Sequence, residues 1–364
     1  MQKRRSIKNF YVCRESIFAL KNDPGTVFGE SAKVCVFLIT KHFIRPYEFV
    51  GSANKRRIIM FTNRMKLTVV PLFVMLFLLV GSYSEGQDFS KMQVEAIKVP
   101  GNIYMLTGAG GNIGISAGKD CVFMIDASYA PLTGKIKAAI GTFSSKPPKF
   151  VVITHWHQDH TGGNENLTRE GAILVAHENV RKRLGSEQFL EYFNRKIPPL
   201  SESALPIITF SRDISFHLNG DDIFIFHVAP SHTDGDAIVH FRQSNVIHTG
   251  DLYFNGLYPF IDLSVGGSMD GVIAAMKQLI SLCDSNTKVI PGHGPLSDKA
   301  GLEAYLKMLV TIRDRIADEI KTGKTLNEVI ASKPTRDFDP IWGTGFMKPE
   351  QFVKIVYDSL VRKK

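Results

Sequence analysis

The sequence predicts a mixed α/β fold carrying a helical C-terminal extension. Three observations lead there: short apolar, β-branched runs recur after residue 94, helical periodicity is interleaved with them, and polar residues able to do chemistry stand where strands run out. Segments 94–99, 112–115, 121–125 and 150–153 read as strands, being short, apolar and rich in β-formers. Between the last two, 132–143 has helical spacing. Strands follow at 173–176, 207–210, 214–218 and 223–228. The last two flank Asn219-Gly220-Asp221, a turn signal that predicts a hairpin. Residues 237–242 and 246–248 form a second expected pair around Gln243-Ser244-Asn245. An amphipathic helix at 268–283 and a short buried strand at 289–290 come next, and beyond Ser297 the pattern is helical. Ser297-Asp298 offers an N-cap, followed at helical spacing by Leu302, Leu306, Leu309, Ile312 and Ile316. Helices at 326–331 and 349–360 are separated by the Pro/Gly-rich stretch 333–346.

With 364 residues the chain can bury one large domain with an appendage. Its 44 Lys and Arg against 35 Asp and Glu would point to nucleic acid or an acidic membrane if the excess were spread over the molecule. Residues 1–64 hold 13 basic and 4 acidic residues, leaving 31 of each in the remainder. The body is neutral, and no nucleic-acid partner is expected.

At Met65-Lys66 a positive start leads into apolar 67–80 and then small and polar 81–87, the layout of a secretory signal peptide cleaved after Gly86. The apolar run is short for a bilayer and contains Pro71, so no permanent membrane span is expected. A signal peptide begins at the translated start. Residues 1–64 are therefore read as an overextended gene model with Met65 as initiator, a genuine long basic leader being the rival reading. The mature protein is expected to be periplasmic or secreted. Its two cysteines, Cys121 and Cys283, are read as buried free thiols rather than a bridge.

The central chemical signal is His155-Trp156-His157-Gln158-Asp159-His160, directly after the strand at 150–153 and before Thr161-Gly162-Gly163-Asn164. Four candidate metal ligands within six residues are not a chance run of polar groups, because imidazole and carboxylate are the donors of hydrolytic zinc. Three later strand-to-loop junctions add His232 in Ser231-His232-Thr233-Asp234-Gly235-Asp236, Asp251 in Thr249-Gly250-Asp251, and His293 in Pro291-Gly292-His293-Gly294.

At these residues the chain resembles the metallo-β-lactamase superfamily of hydrolases, over roughly residues 93–297 and with every motif in order. The resemblance implies a four-layer αβ/βα sandwich with its site along one edge. It divides the chain into a metallo-β-lactamase-like domain at 87–297 and a helical extension at 298–364. It also implies two zinc ions: His155, His157 and His232 on the first, Asp159, His160 and His293 on the second, and Asp251 bridging them. The implied reaction is attack of activated water on a carbonyl-centred bond of a small-molecule substrate, with Asp159 also orienting the nucleophile.

Departures from particular branches narrow the substrate. Where some zinc β-lactamases place a carboxylate-binding lysine three residues beyond a cysteine ligand, this chain has Phe254 beyond Asp251. The full set is more similar to hydroxyacylglutathione hydrolases, lactonases and esterases, so a lactone, ester or lactam is expected. Di-iron oxidoreductases of the same fold carry Glu where His157 stands, and a metal-free binding module would lack the complete set.

Asp126 ends a strand and is a candidate to orient a metal-bound imidazole. His177, His217, His227, His240 and His248 are read as hydrogen-bonded structural residues. Tyr253, Phe254, Tyr258 and Phe260 are candidate substrate contacts, with an ordinary hydrophobic staple under the loop as the equal alternative. The helical tail either covers the cleft or only caps the sandwich.

Overall fold

Strands buried on both faces organise the protein. In the computed structural model, residues 88–362 are described, apart from Ala109 and Ala229. The leader and signal-peptide expectations lie outside them.

β1 (Glu95–Lys98), β2 (Ile103–Thr107), β3 (Ile113–Ala117) and β4 (Val122–Ile125) form an antiparallel meander. After α1 (Thr133–Gly141), β5 (Pro148–Ile153) joins β4 in parallel. The chain continues through α2 (Gln158–Thr161), α3 (Asn164–Arg169), β6 (Ile173–His177), α4 (Glu178–Leu184), a separate hairpin of β7 (Gln188–Leu190) with β8 (Arg195–Ile197), and β9 (Ile208–Phe210). β6 and β9 extend the parallel side, completing a seven-stranded sheet. The second sheet has six strands in sequence order: β10 (Asp213–Leu218), β11 (Asp221–His227), β12 (Ala237–Phe241), β13 (Val246–His248), β14 (Lys288–Ile290) and β15 (Ser297–Asp298). α5 (Met269–Leu282) carries the crossover that lets β14 lie parallel to β13. α6 (Lys299–Lys321), α7 (Leu326–Ser332), α8 (Asp339–Trp342) and α9 (Pro349–Val361) complete the chain.

The pleat explains the layering. On β4, Phe123 and Ile125 point into a cluster with Ile223, Val239 and Phe241 of the other sheet. Val122 and Met124 point the opposite way, onto Leu132, Ile136 and Ile140 around α1. β13 repeats the division: Val246 faces the inter-sheet core, and Ile247 faces α5 and the C-terminal helices. The result is the expected four-layer αβ/βα sandwich with a C-terminal helical region. Truncating a fully buried inter-sheet ring such as Phe123 to alanine should cost about 3–5 kcal/mol.

The Asn219-Gly220 turn forms as expected, both residues at positive φ (56° and 78°). Cys121 and Cys283 are buried and free. Asp298 caps α6, which buries Leu302, Tyr305, Met308, Leu309, Ile312 and Ile316. Leu306, expected on that face, lies at its margin, because the buried stripe is centred on Tyr305 and Met308. Segment 103–107 and the β7–β8 hairpin were not foreseen as strands. β2 is held from both sides by β1 and β3, and the hairpin is mostly exposed, so neither carries a clean alternating pattern. Among the described residues no helix is long and apolar enough to cross a membrane.

Candidate metal centre

Parallel pairing decides where the chemistry collects. Asp126 and His155 follow the C-terminal ends of adjacent parallel strands β4 and β5, so both emerge at one sheet edge. The second sheet contributes His232 after β11, Asp251 after β13 and His293 after β14, the last two from another parallel pair.

All seven residues expected to hold metal meet there in two sets that share one member: His155, His157, His232 and Asp251, then Asp159, His160, Asp251 and His293. Within each set the donor atoms lie within 4.8 Å of one another. Asp251 faces both. Its Oδ2 is 3.8 Å from His155 Nε2 and 3.7 Å from His232 Nε2, while Oδ1 is 3.1 Å from His160 Nε2. His293 Nε2 lies 3.3 Å from the carboxylates of Asp159 and of Asp251.

The outer nitrogens of four imidazoles are committed to oxygen acceptors, which turns the other nitrogen inward. Asp126, fully buried and in the left-handed region at φ 65°, accepts from the Thr154 backbone N–H (2.7 Å), the Thr154 hydroxyl (2.8 Å) and His160 Nδ1 (2.7 Å). With its proton committed to Asp126, Thr154 Oγ1 accepts from His155 Nδ1 at 3.1 Å. His232 Nδ1 donates to the Phe260 carbonyl at 2.8 Å. His157 is reversed: Nε2 donates to Asp262 at 3.0 Å, leaving Nδ1 inward, 3.0 Å from His232 Nε2. Asp126 thus stands where the sequence reading put it, whereas Asp262 was missed. Its only sequence signal is a carboxylate near the aromatic segment 253–260, and its partner is 105 residues away.

Among the described residues, the inward Nε2 atoms of His155 and His160, and Oδ1 of Asp251, are buried without a hydrogen-bond partner. His160 and Asp251 are close but misaligned for a hydrogen bond. Unpaired buried polar atoms are costly, and a cation among them would satisfy all three. The residues present therefore fit a metal site.

Charge points the same way. Burial pushes the Asp159 carboxyl up, but His160 and His293 outweigh it and bring it down to about 2. Burial likewise opposes ionisation of Asp251, and His293, His160 and His155 overcome it, holding the group well below the usual carboxylate range. The same carboxylates overcome the burial of His160 and His293, raising the latter to about 9. Burial, then His160, hold His155 well below its ordinary value. Without a cation, two carboxylates draw protons onto two imidazoles, and a metal would bind in competition with those protons.

Close approach explains two glycines. A Cβ on Gly111 would overlap the His160 ring, and one on Gly292 would overlap Asp251 Oδ1. The loop bearing His232 is built by Asp236, whose Oδ2 accepts from Ser231 Oγ (2.9 Å) and from the N–H groups of His232 (2.7 Å) and Thr233 (2.8 Å).

The four candidate substrate contacts separate into two groups. Phe254 stacks on His293 with centroids 5.0 Å apart, and Phe260 lies 5.7 Å from the His157 ring. Tyr253 and Tyr258 do not join them as substrate contacts; their packing is that of the alternative, a hydrophobic staple under the loop. The Tyr253 hydroxyl pairs with Ser297 and its ring packs on Tyr305, while the Tyr258 hydroxyl donates to Asp339 and its ring stacks on Phe352. Their apolar rings are claimed by the C-terminal helices and their hydroxyls find partners there. Of the remaining histidines, His248 accepts from Gly250 N–H and donates to the Asn112 carbonyl, and His177 caps α4 while stacking on His227 at 3.8 Å.

A four-layer sandwich with imidazole and carboxylate donors converging from both sheets at one edge defines a metallo-hydrolase scaffold. The family model described as the metallo-beta-lactamase superfamily matches residues 100–300, more than half of the sequence, and the chain belongs to that superfamily. It is 24% identical over 156 residues to the probable metallo-hydrolase YqgX of Bacillus subtilis, covering 42% of this chain and 71% of that protein. With the hydroxyacylglutathione hydrolase of Pelagibacter ubique it shares 27% identity over 149 residues, 40% of this chain and 51% of the relative. In fold it is similar to the sec-alkylsulfatase Pisa1 from Pseudomonas sp., with a TM-score of 0.56 at 15% identity, covering 74% of this chain and 50% of the sulfatase.

Proposed function

We propose that this protein is an exported, dinuclear zinc-dependent hydrolase that cleaves a carbonyl-centred bond, in a lactone, ester or lactam. The single observation that carries the reading is Asp251, a buried carboxylate shared by two sets of donors whose inward nitrogens on His155 and His160 have no hydrogen-bond partner among the described residues.

His155, His157 and His232 would hold one ion, Asp159, His160 and His293 the other, with Asp251 between. Two such ions supply activation of water at neutral pH and an electrophile for a carbonyl oxygen. The remaining work falls to the chain. Asp126, Thr154, Asp262 and the Phe260 carbonyl fix which nitrogen each imidazole presents. Asp159, partly exposed at the outer side of the cluster, would orient the attacking water as well as hold metal. Phe254 and Phe260 exclude water beside His293 and His157. The name of the Pelagibacter relative supports a hydrolysed acyl bond, and the signal-like segment 65–86 supports export.

Metal analysis and a panel of chromogenic lactams, lactones, esters and thioesters, run on protein starting near Gln87, test the reading together. About two zinc per chain with turnover lost in His157→Ala is the expected result. Iron with redox activity, no tight metal, or turnover retained in His157→Ala would overturn it.

A further inference from the structure

The β7–β8 hairpin stands apart from both main sheets and is mostly exposed, yet it is not loosely attached. Arg362, directly after α9, clamps its tip by pairing with Glu191 at 2.7 Å while donating to the Leu263 carbonyl at 3.0 Å, and the Tyr192 hydroxyl reaches Met347 Sδ at 3.7 Å. Leu263 directly follows Asp262, the residue that orients His157. The hairpin is thereby fixed to the same turn that shapes the metal centre.

Two kinds of side chain project from it toward that centre. The Phe193 and Tyr192 rings pack at a tilt against Phe260, with centroids 5.2 and 5.5 Å away, and Phe260 in turn lies 5.7 Å from His157 and 6.0 Å from His232. Phe193 nonetheless remains 50% exposed. Across the site Phe346 is 54% exposed and packs on Phe254, which covers His293. Half-exposed phenyl rings on both flanks of a polar cluster form an apolar surface that water covers poorly.

Arg195 supplies the other chemistry. Its guanidinium donates to Gln158 Oε1 at 3.3 Å, and Gln158 sits between His157 and Asp159 in the metal-binding segment. Among the described residues no carboxylate lies within ion-pair distance of Arg195, although the surrounding cations are matched: Lys196 with Glu187, Arg183 with Asp234, and Arg362 with Glu191. Its charge is felt at Tyr129, whose hydroxyl also feels Asp159 and Asp251. One amide oxygen leaves most of the planar fork unused, and such a fork matches a carboxylate.

Resting on the hydrolase reading above, we propose that the 188–197 hairpin selects substrates joining an apolar, ring-bearing acyl group to a carboxylate, with Phe193 receiving the ring and Arg195 the anion. Arg195 then provides from the hairpin the anion contact that Phe254 cannot provide from the loop after Asp251. Both are specificity-determining residues.

The test is calorimetric binding of 4-phenylbutyrate and its neutral analogue 4-phenylbutanamide to the metal-loaded full chain. The acid should bind the wild type more tightly than the amide, and Arg195→Gln should cut the acid's affinity by about three- to tenfold while leaving the amide's in place. Arg195→Lys should recover part of the loss, and Phe193→Ala should weaken both ligands alike. If Arg195→Gln keeps the full preference for the acid, the metals hold the carboxylate and the Arg195 assignment is wrong. Unchanged binding of both ligands by Phe193→Ala removes the apolar half. These readouts need no turnover, so failure of the hydrolase reading in the chromogenic panel remains distinguishable from failure here.

Discussion

Asp262→Ala should loosen the metal centre without unfolding the protein. Asp262 is 2% exposed and its Oδ2 accepts from His157 Nε2 at 3.0 Å, an arrangement that leaves Nδ1 facing the cluster. Alanine removes the acceptor, so the His157 ring loses both its fixed tautomer and its orientation. Groups that support a metal-bound imidazole in this way are worth about 10- to 100-fold in metal affinity, equal to about 1.4–2.7 kcal/mol. His157 belongs to the His155, His157, His232 and Asp251 set and not to the other, so if each set holds an ion, as proposed, the one at this set should weaken. Competition against a chromogenic zinc chelator resolves the two affinities, with urea unfolding of the metal-free chain as the control for folding. Asp262→Asn, which retains an acceptor but no charge, should fall between wild type and alanine. If Asp262→Ala holds both ions as tightly as the wild type, orientation of His157 by the carboxylate is not what builds the site.

Gly111→Ala should be more damaging than its size suggests, because the added methyl overlaps the His160 ring and displaces it from Asp126. Metal content below that of the wild type with secondary structure retained is the expected outcome, read by metal analysis and circular dichroism; unchanged metal content would show that the loop yields instead. The acid limb of stability should carry a contribution from His248, which burial pushes down to about 4. Its unfolded value is about 6.5, so this contribution is complete above that pH, is lost as pH falls toward about 4, and levels off below, amounting to at most about 3 kcal/mol. Urea unfolding from pH 7 to pH 4.5 should fall more steeply for the wild type than for His248→Asn, and parallel curves would assign the loss to other groups.

The donor residues were legible because their chemistry is local in sequence. Four of them crowd into 155–160, and His232, Asp251 and His293 each stand beside glycine or serine at the end of an apolar run. The same logic located Asp126 at the end of a strand. The residues that tune the site were not legible in this way. Thr154 and Asp236 are ordinary polar residues until the loops they tie are folded, and Asp262 acquires its meaning from a ring far away in the chain. For the aromatic segment 253–260 the sequence offered two alternatives, a substrate wall or a hydrophobic staple, and could not divide its residues between them. Phe254 and Phe260 face the cluster, while Tyr253 and Tyr258 are taken by α6, α8 and α9.

Sequence alone pointed to the mixed α/β class, the helical C-terminus and the seven candidate donor residues, because periodicity and ligand chemistry are properties of short segments. Tertiary structure decided which nitrogen each imidazole turns inward, which aromatic rings border the centre, and that the 188–197 hairpin brings Arg195 and Phe193 beside it. Those outcomes depend on contacts between segments tens of residues apart, formed only when two sheets pack face to face and their strand ends share an edge.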